Sequence, residues 1–236
     1  DYVYPRTTNN ILEAYLLQKG IAKEDIFVNY TPFGHSDWSK IVADVVASGA
    51  DGKKVGVIST INGDANVGFY KELAAAGVTA DALSVVAFSV GEEELSGLDT
   101  TNLAGHLAAW NYFMSIPGAP NAEFKALWQA YIKNPKRVTN DPMEATYTGF
   151  RMWTQAVAKA GTTAVDAVRS AMIGQKLMAP SGFEEEMLRN HHLSKPVFIG
   201  EIQADGQFNI VWKTPNAVPA ENWSPFIPEN ANRRRG

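Results

Sequence analysis

Val55-Gly56-Val57-Ile58-Ser59 is a short, β-branched apolar run, and it gives way to the polar stretch Thr60-Ile61-Asn62-Gly63-Asp64. Beyond it Phe69, Tyr70 and Leu73 recur at helical spacing until Gly77. Strand, polar loop, helix is the repeating unit of a parallel sheet covered by helices. The same unit recurs on the C-terminal side, where Val85 to Phe88 reads as a strand and Ser89-Val90-Gly91-Glu92 as the loop at its carboxyl end. It recurs on the N-terminal side too, with Ile26 to Tyr30 as the strand. There Ser36 and Asp37 offer caps for a helix striped by Trp38, Ile41, Val42, Val45 and Val46 and closed at Gly49. Three strands therefore end in polar loops on one edge of an α/β sheet, the edge at which open sheets of this kind bind ligands.

The chain opens with Asp1-Tyr2-Val3-Tyr4-Pro5-Arg6 and enters a helix capped by Thr7 or Thr8, carrying Ile11, Leu12, Tyr15 and Leu16 and stopping at Gly20. In extended backbone, residues two apart point the same way, so Tyr2 and Tyr4 project together from the end of a strand expected before Asp1. The opening predicts both a binding site and a missing first part. Tyrosine, asparagine and serine are neutral groups that both donate and accept hydrogen bonds. Tyr2, Tyr4, Asn62 and Ser89 together suit a small, neutral, polar ligand.

After Gly105 the texture changes. Gly105 to Phe113 reads as an extended crossover, and helices follow over Ala122 to Lys133, Asp141 or Pro142 to Ala160, and Thr163 to Met172, with no strands of their own. Val197 to Ala204 and Gln207 to Trp212 flank Asp205-Gly206, a hairpin signal.

Composition narrows the function classes. At 236 residues, with 45% hydrophobic and 19% charged residues, the chain can bury one large core or two modest ones. A net charge of −4 without long runs gives no basic face for nucleic acid, and Arg233 to Arg235 read as a solvated tail. The absence of cysteine excludes disulfides, thiolate zinc sites and cysteine nucleophiles. No apolar run approaches the roughly 18 residues of a membrane helix. His191 and His192 are adjacent, not four apart, and with Glu184 to Glu186 they read as loop residues, as do His35 and His106, so no metal is expected. No nucleophile elbow, dinucleotide fingerprint or phosphate loop is present, and Glu92, Glu93 and Glu94 read as a helix start complementing the dipole. Neither catalysis nor a cofactor is expected.

The stretch Tyr2-Val3-Tyr4-Pro5-Arg6-Thr7-Thr8-Asn9 resembles the urea-type substrate-binding proteins of ABC importers. So do Thr31–Asp37, Ser59–Asp64, Ala87–Glu94, Gly105–Phe113, Asn140–Tyr147, Ala179–Gly182, Asn190–Pro196 and Gly200–Phe208, and the likeness runs from Asp1 to about Phe226. These proteins are similar to the leucine/isoleucine/valine-binding type I periplasmic proteins, whose two Rossmann-like lobes close on a ligand and are joined by three crossovers. The resemblance implies a type I periplasmic-binding-protein architecture, with one Rossmann-like lobe and an incomplete second lobe. Residues 1–107 would form the C-terminal lobe, 108–112 a crossover or hinge, and 113–195 the mainly helical remainder of the N-terminal lobe. A return crossover and closing hairpin would occupy 196–226, and a tail 227–236.

By that resemblance Tyr2 and Tyr4 line an amide pocket with Ile61 and Asn62 of the second loop and Ser89 and Val90 of the third. Glu92 matches an acidic position of amino-acid binders. The implied function is capture of urea or a short-chain amide for delivery to an ABC permease of the inner membrane, in the periplasm, with a signal peptide upstream of Asp1. A cytoplasmic amide sensor, a branched-chain amino-acid-type binding protein and an amide hydrolase are the alternatives.

Overall fold

The structure is a computed structural model that describes residues 1–233 apart from Lys53. The helices are α1 (Val3–Gln18), α2 (Ser39–Ser48), α3 (Ala65–Ala75), α4 (Glu92–Leu95), α5 (Ala119–Ile132), α6 (Asp141–Ala160) and α7 (Val165–Met172). The strands are β1 (Gly56–Ser59), β2 (Ser84–Ala87), β3 (Leu107–Trp110), β4 (Lys176–Met178), β5 (Glu184–Met187), β6 (Leu193–Ser194), β7 (Phe198–Ile202) and β8 (Phe208–Lys213). A five-stranded sheet runs β1-β2-β3-β7-β8, and a separate three-stranded sheet runs β4-β5-β6. The fold is mixed α/β.

β1, β2 and β3 are parallel, in register from Gly56 opposite Ser84 to Ser59 opposite Ala87. β7 returns antiparallel against β3 and turns back into β8. The expected hairpin forms at Asp205-Gly206, where Gly206 takes φ +77°, a conformation that costs a side-chain-bearing residue dearly. Gly200 answers a different demand. A Cβ there would sit 2.9 Å from the Phe208 ring and 3.0 Å from the Phe113 ring, so only hydrogen lets those aromatics close over β7.

One core joins the sheet to its helices. Trp38 and Val42 of α2 meet Phe69, Tyr70 and Leu73 of α3, and Val85, Ala87 and Ala108 meet them from the strands. Phe113, Phe198, Ile202 and Phe208 continue the core across the antiparallel half. At about 1.5–3 kcal/mol for each large apolar side chain removed from water, this cluster is the main cohesive term.

Several expectations are corrected. The first helix begins at Val3, not after Thr7, so Tyr4 lies in its first turn and only Tyr2 keeps extended backbone. Residues 26–30 form no strand: a 3₁₀ turn over Lys23–Asp25 precedes them, Phe27 is 80% exposed, and no described strand lies alongside to pair their backbone. Residues 108–110 belong to β3 within the sheet, so the extended stretch after Gly105 becomes a connection only at Asn111. The helical segment carries strands of its own, β4, β5 and β6. Their sequence hides them because Glu184 and Glu186 face Lys176 while Glu185 turns inward, an alternation of charge rather than of hydrophobicity. Of the basic tail, Arg234 and Arg235 lie outside the described residues, and the Arg233 guanidinium stacks 4.0 Å over the Trp223 ring.

Candidate functional site

The carboxyl ends of β1 and β2 and the first turn of α1 meet at one edge of the sheet. The parallel ladder ends where the Phe88 N–H donates to the Ser59 carbonyl at 2.9 Å, and past that point side chains take over. The Tyr4 hydroxyl donates to the Phe88 carbonyl at 2.9 Å. The Ser89 hydroxyl donates to the Asn62 side-chain oxygen at 2.5 Å, and the Asn62 amide donates to the Tyr2 hydroxyl at 2.7 Å. Three of the residues singled out in the sequence, Ser89, Asn62 and Tyr2, thus form one hydrogen-bonded chain from three separate segments, and Tyr4 holds the residue before Ser89 through its backbone carbonyl.

Aromatic rings wall this chain. The Tyr2 ring lies 6.1 Å from Tyr4 and 4.8 Å from Phe33, both tilted. Residues 29–35, although not preceded by a strand, still reach the same edge. With Tyr2, Thr60, Ile61 and Asn62 they enclose a cavity of about 490 Å³, into which Tyr30, Phe33 and His35 also face. A cavity of that size is in the range of small-molecule sites.

The hydrogen-bonding groups joined across the loops are neutral, while Asp1 and Asp64 also line the cavity. Burial, with Tyr2 adding to it, pushes the Tyr4 hydroxyl up to about 12, so it stays protonated. Arg6 on the same helix is held by Asp1 through bonds of 2.6 and 2.9 Å and lies 4.8 Å from the Tyr30 ring. Its charge is spent there.

The remaining expected residues sit differently. The Ile61 N–H donates to the Ser59 hydroxyl at 3.4 Å and its carbonyl accepts from Asn66, so it shapes the loop through its backbone. Val90 is fully buried in the core, which leaves only its backbone within reach of the loop surface. Glu92 is turned away from the tyrosines. It is 1% exposed, one oxygen accepts the Met114 N–H at 2.5 Å, and the other has no partner among the described residues. Burial pushes this carboxyl up to about 8, so at neutral pH it is mostly protonated.

Sequence reasoning missed Asn66. Fully buried at the start of α3, its side-chain amide donates to the carbonyls of Ile61 at 3.0 Å, Gly63 at 3.2 Å and Ser89 at 3.3 Å. The signal available was a polar residue in the first turn of a helix whose next apolar positions, Phe69 and Tyr70, are core. It missed a second group as well, below the site where the connections after β3 and before β7 run side by side. The Asn111 amide donates to the Pro196 carbonyl at 2.6 Å, and the Asn111 N–H donates to Asp141 at 3.0 Å. Beside them the Lys195 ammonium donates to Glu144 at 2.5 Å and lies 3.9 Å from Glu185, with both carboxylates fully buried. Burial alone would lower the Lys195 ammonium, but Glu144, Glu185 and Asp141 together raise it.

A family model described as periplasmic binding protein domain matches residues 1–229. The amino acid ABC transporter substrate-binding protein from Pseudomonas fluorescens Pf-5 superposes with a TM-score of 0.74 at 18% identity, covering 93% of this chain and 58% of that one. The solute binding protein of an ABC transporter from Rhodopseudomonas palustris HaA2, in complex with p-hydroxybenzoic acid, superposes with a TM-score of 0.68 at 24% identity, covering 80% of this chain and 51% of that one. A limonene hydroxylase from Geobacillus stearothermophilus is 31% identical over 119 residues, which are 50% of this chain and 21% of that protein. The chain spans between half and three-fifths of the length of these two structures, and a fifth of that relative.

Proposed function

The chain belongs to the periplasmic binding protein domain family, and on that premise we propose that it forms one wall of the substrate-binding component of an ABC importer. The ligand in this reading is urea or a short-chain amide, captured between two lobes in the periplasm and delivered to the permease of the inner membrane.

The observation that carries the ligand class is the set of hydrogen-bonding valences left over on Tyr2, Asn62, Ser89 and Tyr4. Tyr2 accepts from Asn62, so its own hydroxyl hydrogen is uncommitted among the described residues. Asn62 keeps a second N–H. Tyr4 and Ser89 have donated their hydrogens, so their oxygens are left to accept. The site therefore offers donors and acceptors side by side, as a carbonyl flanked by NH₂ groups requires. A carboxylate ligand would call for a cation, and Arg6 is already paired with Asp1. Of the acids near these loops Glu92 is buried against Met114 and Asp64 lines the cavity, so an amino acid would find an acid for its ammonium there but would need a cation for its carboxylate as well.

With its four non-hydrogen atoms and a ceiling of about 1.5 kcal/mol for each, urea can gain roughly 6 kcal/mol, a Kd in the tens of micromolar. Calorimetry on the complete gene product with urea, acetamide, 4-hydroxybenzoate and leucine tests the reading. Saturable binding of urea or acetamide alone is expected, and Tyr4→Ala should weaken it by roughly 1–3 kcal/mol if the phenol contacts ligand. Binding of 4-hydroxybenzoate or leucine in place of the amides would overturn the ligand class.

A further inference from the structure

We propose that Asn66 is a positioning residue that locks the loop after β1 and the loop after β2 into one rigid unit, so that Asn62 and Ser89 move together. The role rests on the ligand reading only for its purpose; the mechanical claim stands by itself. The two loops leave the sheet at the last ladder bond, Phe88 N–H to Ser59 carbonyl. Beyond it two side-chain links join them. The outer link, Ser89 to Asn62, is part-buried, and the Asn62 end is open to solvent, where water competes for the bond. The inner link is the Asn66 amide on the Ser89 carbonyl, with both residues buried.

The same amide also holds the Ile61 and Gly63 carbonyls on either side of Asn62. It spans the turn that presents Asn62, and it grips the residue that bonds Asn62 from the other loop. Ser89 is thereby clamped twice, its hydroxyl by Asn62 and its carbonyl by Asn66. Because Asn66 stands at the root of α3, which inserts Phe69, Tyr70 and Leu73 into the core, the clamp is anchored to the buried core.

The amide faces three carbonyl oxygens, so its direction of donation is fixed. Asn66→Asp is close in shape and removes every donor when ionised, but the same carboxyl regains one O–H donor when protonated. Hydrogen exchange on the complete gene product reads the clamp without any ligand. In Asn66→Ala the segments 60–66 and 88–92 should lose protection together, by about tenfold or more, while β3, β7 and β8 keep theirs. With urea as the probe, Asn66→Ala should bind about tenfold more weakly than the unmodified protein at every pH, whereas Asn66→Asp should approach it wherever its carboxyl is protonated.

Loss of protection in 60–66 with 88–92 unchanged would overturn the proposal, as would Asp and Ala variants indistinguishable at every pH. If unmodified protein takes up no urea, the ligand reading fails, and exchange alone decides the clamp. Should the variants not fold, the unmodified protein still answers by nuclear magnetic resonance. The Asn66 side-chain amide protons should persist in deuterated water at least tenfold longer than those of Asn62, and equal lifetimes would overturn the clamp.

Discussion

Glu92→Gln should flatten a pH dependence of stability that the unmodified protein displays between pH 6 and 8.5. The Glu92 carboxyl ordinarily titrates near 4.5 and is pushed by burial up to about 8 in the folded chain, with Glu94 and Asp141 adding to the shift and the N–H bond from Met114 opposing it. Between those two values the folded state holds a proton that the unfolded state has released. Stability is therefore complete below about pH 4.5 and is lost as pH rises through 8. The whole window, 8 minus 4.5, is about 3.5 pH units, and at about 1.4 kcal/mol for each it sets an upper bound of roughly 5 kcal/mol. From pH 6 to 8.5 the portion still to be lost is about 2.5 kcal/mol, or roughly 5–10 °C in melting temperature for a chain of this size. Glutamine keeps an oxygen to accept the Met114 N–H and cannot ionise, so it mimics the protonated carboxyl. Asp141, raised to about 6 by burial, loses its own contribution mainly below that pH, whereas Glu185, pushed by burial up to about 8, falls in the same window as Glu92, and both stay in both proteins. Thermal unfolding at closely spaced pH values should show a falling melting temperature for the unmodified protein and a shallower fall for Glu92→Gln. Parallel curves would refute the assignment of that proton to Glu92.

Lys195→Met should cost about 3–5 kcal/mol, because it leaves the fully buried Glu144 without its cation, and adding Glu144→Gln should restore part of the loss; guanidinium unfolding measures both. Two glycines should respond in opposite directions to the same methyl group. Gly200→Ala would drive a Cβ into Phe113 and Phe208 and lose roughly 1–3 kcal/mol, whereas Gly149→Ala, inside α6 with open space at that position, should gain about 0.5–1 kcal/mol, both read from unfolding midpoints.

The parts of the fold legible in the sequence are those where pattern and partner agree. Residues 56–59 and 65–75 repeat an apolar period and find partners, β2 beside β1 and the core against α3, so β1 and α3 lie where Val55 to Gly77 suggested. The Asp205-Gly206 turn is local chemistry, and it forms locally. Residues 26–30 have the composition of a strand, but a strand is a relation between two segments, and among the described residues none pairs with them. The inverse failure is β5, Glu184–Met187. Three glutamates in a row carry no strand signal until Lys176 on β4 supplies the counter-charge for the outer two and Ser181 donates at 2.9 Å to the inner one.

The site divides along the same line. Asn62 and Ser89 sit in the loops after β1 and β2, where the direction of a strand alone tells which edge they share, while Tyr2, at the start of α1, reaches that edge by bonding Asn62. Which groups face the ligand and which hold those groups in place depends on distances of a few tenths of an ångström, and no spacing in the sequence encodes these. Glu92 and Asn66 show the consequence from opposite sides. Glu92 carries the chemistry of a ligand-binding residue, but as the first residue of α4 it is buried in the protein, where it accepts the Met114 N–H and water does not reach it. Asn66 looks like an ordinary residue in the first turn of a helix, yet its amide is the buried bond that spans both loops. A polar side chain near a loop end is therefore evidence for the edge at which binding occurs. Its role is decided by whether its last free valence ends in solvent, as with Tyr2 and Asn62, or on the backbone of the neighbouring loop.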